Sequence, residues 1–409
     1  MARFFMGLGL VLLAAIVALI GWPLTPVVQD AATAGKANTY LDENAVAVDL
    51  DADGAEFPLP DGLATAQFIM LAEIHGYAMP QAIDLMMVKK LAAERGMRAY
   101  LAELSPDQAI AFNAMVLDGD DTAARAVFDA WGERSAQWGN KEFFAKLEAI
   151  TAFNAQRPDD QKIVFIGTDK PTDLEFAEQM LGQLDPSVDA NFSSLANVRA
   201  INGLLLDEAM TRPDNASRYS HIVPGMAMVA DLPGAEDEVF YALWGLFHGS
   251  KVLVNGAKPL AHRLIENGTF AGVGTISTLC LENCFNLLPA YGLPVEQLRG
   301  PDGEEYTLLP MSYENPYFVR IRGASELRTV MDARSSDSVF VPLTEEGSPY
   351  LEGARLSVTT GYLDLLIPTF DYEGAAGEAS DAVFVMRNVP GLTPWSGSAF
   401  DISGQALAN

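Results

Sequence analysis

The stretch that most constrains this chain runs from Gln67 to Glu103. It reads QFIMLAEIHG, then YAMPQAIDLMMVKKLAAERG, then MRAYLAEL. Phe68, Ile69, Met70 and Leu71 form a near-continuous apolar run, the pattern of a strand buried on both faces of a parallel sheet. Ile83, Met86, Met87 and Leu91 then recur at helical spacing, and Leu85 and Val88 widen the apolar surface. Pro80 is tolerated in a first helical turn, Gly96 suits a C-terminal cap, and Lys89 and Lys90 are expected toward solvent. A second apolar run ends at Glu103. Strand, crossover helix and strand of this size predict a right-handed parallel unit. The fold class expected is therefore α/β: a largely parallel central sheet flanked by helices, with helical insertions and an irregular C-terminal region.

The remaining chain extends that pattern. Helical segments are expected between Ser105 and Gln156, then over 172–184 and 193–212. A third strand is expected in KIVFIGTDKP, with Asp169 at its carboxyl end, and a fourth over Tyr241–Phe247, with His248 at its end. A helix over Pro259–Glu266 with Gly268 as its cap follows, then strands near 273–280 and 382–389. Residues 286–380, rich in proline and glycine, read as an irregular cap, a small β subdomain or a lid.

In parallel α/β sheets, ligands bind in the crevice beyond the carboxyl ends of the strands. Glu73, His75, Glu103, Asp169 and His248 all fall at such ends. If the strands are neighbours, two of the chain's four imidazoles share one rim with three carboxylates. An imidazole exchanges protons near neutral pH, and a carboxylate beside it fixes its tautomer and raises its basicity. His221, in RYSHIVPG, reads as a loop residue with a structural or solvated role, and His262 as a helical surface or core histidine. There is no G-x-S-x-G nucleophile elbow. There is also no P-loop, no G-x-G-x-x-G after a strand and no H-E-x-x-H.

The segments LAEIHG, KKLAAERGMRAYLAEL, FNAQRPDDQKIVFIGTD, WGLFHGSK and SDAVFVMRNVPGLTP together resemble the erythromycin-esterase-like/ChaN-like superfamily, which also includes the TIKI proteins. They occur in the family's order and span most of residues 67–390 in short blocks. The resemblance assigns site positions to Glu73, His75, Glu103, Asp169 and His248. Ala72 stands where the esterases have glycine, and Thr168 where they have phenylalanine. Only Ile74 separates Glu73 from His75, as in the haem-binding ChaN type. The function implied is hydrolysis of an ester or amide in a small molecule. His75 would be the general base, oriented by Glu73 or Glu103, and His248 would stabilise or protonate the oxyanion. The resemblance implies no obligatory cofactor, but two alternatives come with it: a metal-dependent peptidase-like hydrolase using the same residues around a divalent metal, and a non-catalytic haem-binding protein.

Composition bounds the partners and the compartment. The formal charge is −28, from 26 basic and 54 acidic side chains. Such a surface repels nucleic acid, whose binding depends on Lys and Arg displacing counterions. Phe4 to Trp22 is an uncharged apolar run about long enough to span a bilayer. It reads as an anchor with a cytoplasmic N-end, or as a signal segment cleaved after Ala32-Thr33-Ala34. Either reading exports the rest: membrane-anchored and facing the periplasm or outside, or secreted. Residues 23–60 read as a linker and 61–409 as the α/β domain. Asp49 to Gly54 matches half a calcium loop, but the twelfth position is Pro60, so the bidentate glutamate is missing. Cys280 and Cys284, the two cysteines, suit a local disulfide in an oxidising compartment, with two reduced, half-buried thiols or a metal pair as the competing readings.

Overall fold

The computed structural model describes residues 35–50, 57–134, 138–212, 217–289, 297–299, 305–311, 320–321, 323–354, 356, 358–359 and 372–395. The apolar run Phe4–Trp22 lies outside these residues, as does most of the half calcium loop. No helix among the described residues is long and apolar enough to cross a membrane.

The first strands are β1 (Val46–Ala47), β2 (Phe68–Glu73), β3 (Ala99–Ala102), β4 (Val164–Gly167), β5 (Phe240–Gly245) and β6 (Val273–Pro289). They are followed by β7 (Gln297–Arg299), β8 (Glu305–Met311), β9 (Arg320–Ile321), β10 (Ser338–Pro342), β11 (Val358–Thr359) and β12 (Ala382–Val389). The main sheet runs β1-β10-β12-β6-β2-β5-β3-β4, with β8 and then β7 added to the far end of β6. From β12 across to β4 every neighbour is parallel. Only β1, β7, β8 and β10 join antiparallel.

Helices α1 (35–44), α2 (Asp61–Thr65), α3 (Met79–Arg95), α4 (Pro106–Asp118), α5 (Thr122–Arg134) and α6 (Lys141–Asn154) occupy the first half. The second half holds α7 (Leu174–Leu181), α8 (Leu195–Met210), α9 (Tyr219–Ala230), α10 (Leu260–Glu266), α11 (Ala324–Arg334) and α12 (Ala376–Ala379). Alternation along β2 sends Ile69 and Leu71 to one face, beneath α3, α4 and α6, and Phe68 and Met70 to the other, beneath α8–α10. A third cluster joins Leu279, Val341 and Val383 to α1 and α11. The expected fold class therefore holds. Gly96 closes α3 with φ of 67°, as a left-handed C-cap.

Four expectations need correction. Residues 23–60 are not all linker: Tyr40 and Leu41 of α1 are buried, the Tyr40 hydroxyl donates to the Pro342 carbonyl at 2.8 Å, and β1 pairs with β10. The 286–380 region is not wholly irregular, because α11 and β10 belong to the sheet's own layers. Lys90 does not face solvent; it is buried, with its ammonium over Phe57 and paired with Glu94 at 2.6 Å. His221 is not in a loop but buried within α9.

Candidate active site

Strand β2 ends at Glu73, and the chain then makes a turn held from several sides. The Thr278 hydroxyl donates to the Ala72 carbonyl at 3.1 Å and accepts from the Ile74 amide at 3.3 Å. Gly76 takes φ of 96°, and its carbonyl accepts from Leu392 in the C-terminal segment. This framing presents His75 at the rim. Its Nδ1 lies 3.1 Å from Glu73 Oε1, and its ring meets the edge of Trp138 with centroids 4.6 Å apart. Gln81, in the first turn of α3, donates to the other Glu73 oxygen at 3.4 Å.

One strand over, β5 ends at Gly245 and passes into a short 3-10 turn, Leu246–Gly249, so His248 stands three residues past the strand end rather than on it. Gly245 is where the two imidazoles meet. A Cβ there would lie 2.7 Å from His75 Nε2 and 3.6 Å from His248 Cδ2. The glycine is needed for close approach, since its φ of −57° is open to any residue. Its amide donates to Glu103 Oε2 at 2.8 Å, tying the end of β3 to the same point. The other Glu103 oxygen lies 3.6 Å from His248 Nε2, and the Tyr219 hydroxyl lies 3.0 Å from His248 Nδ1.

A residue not foreseen from the sequence completes the cluster. Arg218, just before α9, donates to Glu103 Oε1 at 2.5 Å and grips Asp169 with Nε at 2.7 and 2.9 Å, a geometry that suits the planar guanidinium. The Glu103 and Asp169 side chains are 3% and 12% exposed, whereas Arg218 is 44% exposed. Arg218 is therefore the member of this trio most open to solvent. The signal for it in the sequence is the Arg-Tyr pair in RYSHIVPG, in a chain poor in bases. Tyr219, Gln81, Trp138 and Gly245 were likewise not singled out.

The electrostatics separate the two imidazoles. Burial opposes the charged form of His75, but the Glu73 hydrogen bond and the charges of Glu73 and Glu103 outweigh it and raise its pKa. At His248 burial dominates, Arg218 adds to it, and the pKa falls despite Glu103. Burial pushes the Glu103 carboxyl up, yet His248, Arg218 and His75 together bring it below its ordinary value. The two imidazoles are thus pushed in opposite directions, His75 toward its charged form and His248 toward its neutral one.

All five expected residues thus gather on one rim, with Asp169 serving as an anchor of Arg218. His221 and His262 stand apart. His262 Nδ1 meets the Lys251 carbonyl at 2.9 Å, and burial and the nearby Arg212 and Lys170 lower the pKa of His221. Among the described residues, no group of three or more His, Cys, Asp or Glu is arranged to hold a metal. Two carboxylates that would be obvious ligands both face Arg218 instead. A cleft of about 70 Å³ lies against the turn that carries His248, walled in part by Leu246, Phe247, Leu279 and Val383. Cys280 and Cys284 are paired as a disulfide on β6.

No protein-family profile matches the chain, and no curated protein matches it in sequence. Solved structures do. A crystal structure of a Bacillus cereus protein superposes with a TM-score of 0.56 at 16% identity, over 88% of this chain and 98% of that one. A succinoglycan biosynthesis protein gives 0.56 at 13% identity, again over 88% and 98%. An erythromycin esterase variant in its open conformation gives 0.49 at 13%, over 83% and 97%. Identities this low speak to fold alone. At TM-scores of 0.56 the first two superpositions show that the chain shares the α/β fold of those proteins.

Proposed function

We propose that this chain hydrolyses an ester or amide bond in a neutral small molecule. The observation that carries the reading is the Glu73–His75 pair aimed at the point above Gly245 that His248 also reaches. The Glu73 carboxylate accepts from Nδ1, which leaves Nε2 of neutral His75 as the basic nitrogen. That nitrogen draws a proton from a water attacking the carbonyl carbon. The water oxygen bonds to carbon, the carbonyl becomes an oxyanion, and His75 then returns the proton to the leaving oxygen or nitrogen. A positioned acid–base group of this kind contributes on the order of 10²–10⁴-fold.

The oxyanion is met by Arg218 and His248. Arg218 is a fixed cation with an exposed face, and an oriented donor at a developing charge is worth on the order of 10²–10³-fold. Glu103 and Asp169 hold that cation in place, and Tyr219 holds His248. The small cleft beside Phe247 has room for a short apolar group on the substrate, and the acidic surface disfavours anionic substrates. Phe4–Trp22 would place the site outside the cytoplasm, anchored or released, and the disulfide supports an oxidising compartment.

The test is turnover of a panel of neutral esters and amides with short and long acyl chains by purified full-length protein, with and without chelator. Hydrolysis is expected, undiminished by chelator because Arg218 supplies the positive charge. Loss of activity in chelator, restored by manganese or zinc, would transfer the chemistry to a metal. No turnover across the panel would contradict the reading.

A further inference from the structure

A buried polar chain lies beneath the Glu73–His75 pair, and the mechanism above does not use it. Lys146 of α6 donates to Gln81 Oε1 at 2.8 Å and to Asp84 Oδ2 at 2.5 Å. Asp84 also accepts from the Tyr100 hydroxyl at 2.6 Å and the Tyr241 hydroxyl at 2.8 Å. The Lys146 and Asp84 side chains are 1% and 0% exposed. Gln81 and Asp84 sit three residues apart on one face of α3, while the tyrosines come from β3 and β5. Four elements therefore converge on one ion pair directly behind the rim.

The valences make this chain directional. An ammonium only donates and a carboxylate only accepts. The Gln81 amide can therefore be seated one way: its oxygen toward Lys146 and its NH₂ toward Glu73. That donor occupies Glu73 Oε2 and leaves Oε1 for His75 Nδ1. A buried ion pair is poor value as mere adhesive, since apolar residues of similar volume stabilise as well or better.

We propose that Gln81 and Lys146 are positioning residues for His75: the ammonium orients the amide, the amide orients Glu73, and Glu73 holds the imidazole as the Nδ1–H tautomer. The proposal rests on the hydrolase reading for what the tautomer is for, but the tautomer itself can be observed without any substrate. With only four histidines, the ¹⁵N imidazole signals can be assigned by single His→Gln variants. In the wild type, neutral His75 is expected mainly as Nδ1–H, with Nε2 unprotonated. Gln81→Met keeps the side-chain volume and removes both polar ends, so His75 should shift to a mixture of tautomers. The double variant Asp84→Asn with Lys146→Met removes both buried charges together and should produce a smaller shift of the same sign. It also gives the readout if Gln81→Met folds poorly. On any ester that the wild type turns over, kcat of Gln81→Met should fall at least about tenfold, as supporting-residue changes typically do, with KM nearly unchanged. A folded Gln81→Met protein with His75 still Nδ1–H would overturn the proposal, even if its melting temperature fell. A tautomer shift in a protein that hydrolyses nothing would sustain the positioning and sink only the hydrolase reading.

Discussion

His75 and Gly245 test the account at the level of single residues. Because the His75 pKa is raised and a general base must be unprotonated, the acidic limb of kcat/KM should lie above 6.5, the ordinary imidazole value. Glu73→Gln removes the main opponent of burial, so the limb should move to lower pH while kcat drops; a limb that stays put would separate Glu73 from the base. The stability signs follow from the same shifts. The Glu73–His75 pairing stabilises the fold fully below the ordinary imidazole pKa and loses that contribution as pH climbs through the folded value. Glu103, with its pKa depressed, contributes above the ordinary carboxylate range and loses it as pH falls through its folded value. Gly245→Ala places a carbon where His75 Nε2 now stands within 2.7 Å. Displacing the base by about 1 Å can cost on the order of 10²-fold, so activity should collapse while a thermal melt changes little. The five rim residues were legible because parallel strands put their carboxyl ends on one edge. Arg218 was not, since it precedes a helix and reaches the rim only through the placement of α9.

Among the elements, β2 and α3 do most to place the site, and both were readable from periodicity. Leu71 and Ile69 are fully buried on the face beneath α3. Truncating either to alanine should cost roughly 2–5 kcal/mol, measured by denaturant unfolding, and should reduce activity only as far as folded protein is lost. A fall in kcat per folded molecule would mean that the rim geometry depends directly on core packing. Where local pattern and structure differ, a long-range partner decides the outcome. Lys90 is covered by Phe57, from a segment read as linker. Strand β10 became visible only through its pairing with β12 and β1. Local pattern carries no record of such partners, whereas the apolar stretches 273–280 of β6 and 382–389 of β12 declared themselves.

Across the whole molecule, one sheet gathers residues nearly 180 positions apart onto one edge, and the acidic surface narrows what can approach it. If Phe4–Trp22 spans as proposed, protease added to spheroplasts should digest the α/β domain, and if it is cleaved the domain should leave with the periplasmic fraction or the medium; a domain retained and fully protected inside spheroplasts would be in the cytoplasm. The central claim, that His75 is the proton acceptor of a hydrolytic site shared with His248, is tested most directly by His75→Ala. Side by side with the wild type, its turnover of the best ester in the panel and its thermal melt should be measured. The account predicts a loss of about 10²–10⁴-fold in kcat with a nearly unchanged melt, because a rim imidazole carries proton transfer rather than packing. Wild-type turnover in a folded His75→Ala protein would contradict it.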